Sequence, residues 1–166
     1  MRYENRSFSS TLKDGSVGEN LIIAFLKHCG FAVEDKTDDE EYQERDIDIL
    51  FKNPNGPWKS MEIKSDNVMN RSGNIVVEES FDRKIGRTLG WFHYCEADVL
   101  CFCDVNEYSY YFLNWKGIKE KIQDGYWKLS KFYNEIDDCL GRLYKIPIKD
   151  LRRLGLIEAE GKVYFG

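Results

Sequence analysis

A chain of 166 residues that is 42% hydrophobic, 14% aromatic and 32% charged can build one packed core, which excludes a wholly disordered polypeptide. Its net charge of −5 argues against indiscriminate polyanion binding, although carboxylates gathered around a cation lower the balance in the same way. No apolar run is long enough to cross a bilayer, the opening MRYENRSFSS lacks a secretory apolar stretch, and five cysteines make an odd set, so a cytosolic (cytoplasmic) chain with reduced thiols is expected.

Residues 14 to 29 (DGSVGENLIIAFLKHC) predict a helix, capped by Asp14 or Ser16 and followed by Gly30 where a left-handed residue is wanted. Glu19 precedes Ile22, Ile23 and Leu26 by three, four and seven residues, which places it on or beside the buried face. A charge that complements the helix dipole is the simpler reading of that position. FAVED (31 to 35) predicts a short strand, and KTDDEEYQER a solvated acidic loop.

IDILF (47 to 51) and WKSMEIK (58 to 64) predict a hairpin, because KNPNGP between them is rich in turn-forming residues. Period-two alternation puts Ile47, Ile49 and Phe51 on one face and Asp48 and Leu50 on the other; likewise Met61 and Ile63 oppose Glu62 and Lys64. IVVEES (75 to 80) predicts a further strand, and 81 to 95 a mixed, basic, partly helical connection. ADVLCFCD (97 to 104) and YSYYFLN (108 to 114) read as a strand pair, followed by a helix at WKGIKEKIQDG, a strand at GRLYKIPI and a terminal helix at IKDLRRLGL. The whole is one domain, 1–166, of the α/β (α+β) class with a central mixed sheet flanked by helices; its core covers about 15–104 and a C-terminal extension 105–166.

Asp48, Glu62 and Lys64 on one side of the sheet, facing the helix that carries Glu19, would bring three carboxylates together. At about 4 Å and an effective dielectric near 20, each like-charged pair repels by roughly 4 kcal/mol, so protons or cations must neutralise them. Hard carboxylate oxygens suit Mg²⁺ or Mn²⁺, and a lysine one pleat beyond Glu62 can hold or help deprotonate a metal-bound water and stabilise charge on a phosphoryl group.

Glu19 on a helix, Asp48 fourteen residues before Glu62, and the run Glu62-Ile63-Lys64 resemble the PD-(D/E)xK nuclease superfamily, which includes restriction endonucleases, Holliday junction resolvases and phage exonucleases. Ile47 stands where that pattern often has proline. The resemblance implies a restriction-endonuclease-like fold and a metal-dependent nuclease, foremost a DNA endonuclease that leaves a 5'-phosphate and a 3'-hydroxyl. It implies that Asp48, Glu62 and the Ile63 carbonyl bind the metal, that Lys64 positions the attacking water, and that Glu19 assists. Small phage or mobile-element members often carry a further acid on the next strand, for which Glu78 is the candidate; Asp46 is a second candidate for the aspartate. The alternative is a catalytically inactive protein of the same fold that binds nucleic acid or a protein. Members that cut both strands are commonly dimers, so a homodimer is compatible with the resemblance, and no membrane role is expected.

Arg71, Arg83, Lys84 and Arg87 are the first candidates for phosphate contacts; Lys145, Lys149, Arg152 and Arg153 form a second basic set. His93, Cys95, Cys101 and Cys103 lack the spacing of a zinc site, and the Cys101-Phe102-Cys103 step suits a strand packed in the core.

Overall fold

The computed structural model describes residues 8–166. Helix α1 (Phe8–His28) leads to β1 (Ala32–Asp35), a one-turn helix α2 (Glu40–Gln43) and the hairpin of β2 (Ile49–Lys52) and β3 (Lys59–Ser65). Helix α3 (Met69–Ser72), a second hairpin of β4 (Asn74–Arg83) and β5 (Gly86–Leu89), and a 3-10 turn at Trp91–His93 come next. The third hairpin, β6 (Val99–Asp104) and β7 (Ser109–Asn114), precedes α4 (Trp115–Gln123), β8 (Leu129–Asn134), β9 (Cys139–Pro147), α5 (Ile148–Arg153) and β10 (Ile157–Lys162).

Six strands form the central sheet in the order β1-β2-β3-β6-β7-β10. It is mixed, as expected: β3 and β6 run parallel, and the other neighbours are antiparallel. Parallel neighbours cannot be joined by a tight turn, so the chain between β3 and β6 makes a long crossover. That crossover contains β4 and β5, which join β9 and β8 in a second, antiparallel sheet ordered β5-β4-β9-β8.

Helix α1 covers one face of the central sheet, packing Ile22 and Leu26 with Ile49, Met61, Ile63, Val99 and Cys101. The opposite face, through Leu100, Phe102 and Leu113, meets Trp115 and Ile118 of α4, Leu151 of α5, Ile75 and Val77 of β4, and Ile146 of β9. Every residue of β6 is buried, as a strand covered on both faces requires. Each fully buried Ile or Leu stabilises the fold by roughly 1.5–3 kcal/mol relative to exposure, so both layers are firmly held. Among the described residues no helix is long and apolar enough to cross a membrane.

Four local expectations are corrected. Helix α1 begins at Phe8, upstream of the expected caps, so Asp14 and Ser16 lie inside it. Once later turns nucleate a helix, adding polar residues at its start costs little. The connection at 81–95 continues β4, turns back as β5 and ends in the 3-10 turn. Residues 105–166 are not an appendage: they supply β7 and β10 to the central sheet and β8 and β9 to the second. Ile47 packs in the core with Leu100 and Trp115, on the face opposite Ile49 and Phe51, because the chain turns sharply at Asp46 before β2 begins.

Candidate active site

The β2–β3 hairpin closes through a Gly56 N–H to Asn53 carbonyl bond of 2.8 Å and pairs Ile49 with Met61 and Leu50 with Ser60. Just before β2, Asp46 adopts a left-handed backbone (φ 47°), and Ile47 N–H donates to the Tyr42 carbonyl. Asp48 then falls into register with β3: its N–H donates to the Met61 carbonyl at 3.0 Å, and its Oδ2 accepts from the Ile63 N–H at 2.7 Å. That bond holds the Asp48 carboxyl against β3, within hydrogen-bond reach of the Glu62 side chain.

Lys64 completes the constellation. Its Nζ lies 2.5 Å from Glu62 Oε1 and 5.0 Å from the centroid of the Trp91 ring. Glu62 is only 6% exposed, and burial above all, with Asp48 nearby, pushes its carboxyl up to about 8 against the pull of Lys64. Asp48 and Asp46 are raised chiefly by burial as well. Two carboxyls that hydrogen-bond to each other need a proton between them, which agrees with that direction. Burial by itself would lower Lys64, but Glu62 beside it, then Asp46 and Glu78, hold the amine above its ordinary value. Lys64 is therefore an ammonium ion, able to donate hydrogen bonds and unable to accept a proton near neutral pH.

Glu78 of β4 belongs to the same field: burial raises it, Lys64 opposes the rise, and Asp46 adds to it. A bulge in β4 decides between the adjacent glutamates. Glu78 pairs with Leu143 and Ser80 with Arg142, leaving Glu79 as the extra residue. Glu79 turns to His93 Nε2 at 3.2 Å and to the Ser80 hydroxyl.

Glu19 reaches the site from α1. Burial is the main cause that raises it to about 7, followed by the charges of Asp48 and Asp35. The helix lies against the Met61 and Ile63 face of β3, and Lys64 stands over Trp91, which packs against the opposite core. The expectation that Asp48, Glu62 and Lys64 all face α1 is thus corrected: Glu19 meets the cluster through Asp48. Close approach is built in at Gly18, where a Cβ would collide with Ser65 Oγ and lie 3.0 Å from Cys103 Sγ.

The four basic candidates do not form one patch. Arg71 is in α3, before β4, whereas Arg83, Lys84 and Arg87 lie at the far end of that ten-residue strand and its turn. Lys84 pairs with Asp138 at 3.2 Å and Arg87 with Asp82 at 2.9 Å; Arg83 sits 5.8 Å from the centroid of the Phe81 ring. Arg142 and Arg87 together hold Asp82 well below the usual carboxylate range. Cys101 and Cys103 pack in the α1 core, while Cys95 belongs to the other core and points its thiol at the Asp46 carbonyl; all five cysteines are unpaired.

Sequence reasoning missed Trp91 and Cys95 as neighbours of the charged groups. The run GWFHYC signals burial of aromatics, but nothing in it says that one ring lies under Lys64.

Asp46, Asp48 and Glu62 offer the hard oxygen donors that Mg²⁺ or Mn²⁺ prefers. Asp46 Oδ2 is buried without a hydrogen-bond partner among the described residues, in a residue whose backbone is itself strained. A divalent cation would satisfy that oxygen and offset the cost of burying these carboxyls, which burial pushes upward, so the donor set fits. Among the described residues no three His, Cys, Asp or Glu side chains already converge at metal-ligand distance, and Lys64 holds one oxygen of Glu62.

No protein-family model matches the sequence, and no curated protein matches it. The fold is similar to that of a bacterial homing endonuclease, I-Ssp6803I, with a TM-score of 0.53 over 90% of this chain and 89% of that one, at 15% identity. The chain shares a nuclease's fold. A nuclease from a fusselovirus aligns over 92% of this chain and 93% of its own, with a TM-score of 0.39 and 11% identity.

Proposed function

We propose that the chain is a metal-dependent nuclease of the PD-(D/E)xK kind that hydrolyses DNA phosphodiester bonds as an endonuclease. The observation that carries this reading is the gathering of Asp46, Asp48, Glu62, Glu78 and Glu19 around one half-buried ammonium at the β2–β3 hairpin. A structural ion pair needs one acid for one base. Here several acids are raised by burial, an arrangement that costs stability and is characteristic of sites that handle cations and protons.

Asp48 and Glu62 would hold Mg²⁺ or Mn²⁺, with Asp46 and the Ile63 carbonyl adding donors. When bound, the cation supplies the charge that activates water and neutralises phosphoryl oxygens. The chain's own groups do the rest. Lys64 donates hydrogen bonds that orient the attacking water and stabilise charge on the phosphoryl oxygens. Glu19, raised to about 7, is the carboxyl able to exchange a proton with solvent near neutrality. Trp91 and the surrounding core exclude water from one side of Lys64, which strengthens its interactions.

The test is calorimetric titration with Mg²⁺ and Mn²⁺, run beside cleavage of labelled duplex, branched and single-stranded DNA. Metal binding and cutting by the wild type, both lost in Asp48→Ala, support the reading. Absence of divalent binding at millimolar concentration would overturn it and favour a protein that only binds nucleic acid or a partner.

A further inference from the structure

Between α3, the start of β4 and α5 lies a cavity of about 500 Å³, lined by Asn70, Ser72, Asn74, Tyr111, Lys149 and Arg152 among others. We propose that this cavity holds a backbone phosphate of the bound DNA strand, at a distance from the scissile bond; the proposal rests on the nuclease reading above.

Charge is the first reason. The chain carries a net charge of −5, yet among the described residues no acid lines this cavity, while Lys149 and Arg152 do, the latter paired with Glu160 just outside it. The remaining polar lining is amide and hydroxyl, the groups that contact phosphate oxygens beside Lys and Arg. Pre-organisation is the second. Arg152 is held by both oxygens of Glu160, at 2.8 and 3.4 Å, which fixes its long side chain as a wall of the cavity and leaves Lys149 as the main charge there. Asn70 Nδ2 donates to Asp104 Oδ2 at 3.2 Å and to Ser109 Oγ at 2.7 Å, so this residue shapes the wall and does not itself donate to the phosphate. The walls are equally firm: Met69 and Ile148 are buried, and the Ile148 N–H donates to the Gly73 carbonyl at 2.9 Å, tying α5 to the start of β4.

Position is the third reason. Met69 follows Lys64 by five residues, and Asn74 precedes Glu78 by four. At about 3.3 Å per strand residue, the cavity stands roughly 13 Å from the charged cluster along β4. That span is about four nucleotides along a DNA strand, at 3.4 Å of rise each. A strand crossing the hairpin can therefore place one of its phosphates in the cavity without bending sharply. The acidic cluster repels DNA until it is neutralised, so a cationic foothold outside it would hold the strand in register.

The experiment measures binding of a labelled 30-base-pair duplex by fluorescence anisotropy at several salt concentrations, in a Lys64→Ala background and without divalent metal so that cutting does not interfere. The variants are Lys149→Ala with Arg152→Ala, Lys149→Ala alone at its exposed position in case the double variant unfolds, and a charge-matched control, Lys27→Ala with Lys131→Ala. Loss of the phosphate contact lowers the slope of log K against log salt by about 0.9 and weakens binding about tenfold, and the control does neither. A Lys149→Ala chain indistinguishable from the control overturns the proposal. Titration with inorganic phosphate separates the sources: phosphate binding that depends on Lys149, with an unchanged DNA slope, makes this a small-anion site and also overturns it. If the wild type cuts DNA while these variants match the control, this assignment alone fails; if the wild type neither binds nor cuts, the nuclease reading fails with it.

Discussion

Lys64 Nζ and Glu62 Oε1 meet at 2.5 Å from successive same-face positions of β3, and the glutamate of that pair is almost wholly buried. On an exposed strand such a pair contributes little. Here it fixes an ammonium among carboxyls that burial pushes upward. Under the proposed function, Lys64→Ala should cut DNA at least about 100-fold more slowly, the scale expected when one preorganised donor is lost. Mn²⁺ binding should persist, since lysine is no ligand. Single-turnover cleavage and calorimetry on the same sample check both halves; equal loss of metal binding would mean that Lys64 merely holds the site together.

Glu62 predicts an unusual pH dependence of stability. Its carboxyl is raised from 4.5 to about 8, so the folded chain keeps a proton that the unfolded chain releases. The contribution is fully present below pH 4.5 and is lost as pH rises through about 8. Metal-free protein should unfold at lower urea at pH 9 than at pH 6, by up to a few kcal/mol. Glu62→Gln, neutral throughout, should remove most of that difference. Millimolar Mg²⁺ should stabilise the wild type more at pH 9 than at pH 6, because deprotonated carboxyls bind it better.

Asp48 separates structure from chemistry. Asparagine retains an oxygen for the Ile63 N–H, whereas alanine leaves that donor without its partner at a cost of about 1–3 kcal/mol. Asp48→Asn should therefore unfold near the wild-type midpoint and Asp48→Ala clearly below it, while neither cuts DNA. Wild-type cleavage by Asp48→Asn would remove this carboxylate from the mechanism.

Gly18→Ala should loosen α1 from β3. The added methyl meets Ser65 Oγ and crowds Cys103 Sγ at 3.0 Å, and overpacking of this kind costs about 1–3 kcal/mol. Because Glu19 is the next residue, cleavage should fall along with the melting temperature. Adding Ser65→Gly should recover part of both; no recovery would place the cost elsewhere.

The β2–β3 hairpin was legible because its causes are local: turn-forming residues at 52 to 57 and period-two alternation after them. Asp48, Glu62 and Lys64 came from that pattern. The face of Ile47 did not, since the left-handed turn at Asp46 breaks the alternation and aspartate advertises no such turn as glycine would. Strands β8 and β10 escaped notice because they are edge strands with few buried residues, so their alternation is faint. The split of the four basic candidates was equally hidden. Closeness in the chain suggests a patch, but an extended β4 carries Arg83 far from Arg71.

The pairing of β4 with β9 also bears on when the site comes into being during synthesis. The hairpin with Asp48, Glu62 and Lys64 needs only neighbours in the chain, whereas β4, which carries Glu78, pairs with β9 some sixty residues later, Glu78 lying opposite Leu143. A nascent chain therefore displays the acid-rich hairpin well before Glu78 has its seat, and the complete cluster appears only after most of the chain has left the ribosome. Closing so long a loop is slow, so the assembly of this centre reports that folding of both sheets is finished.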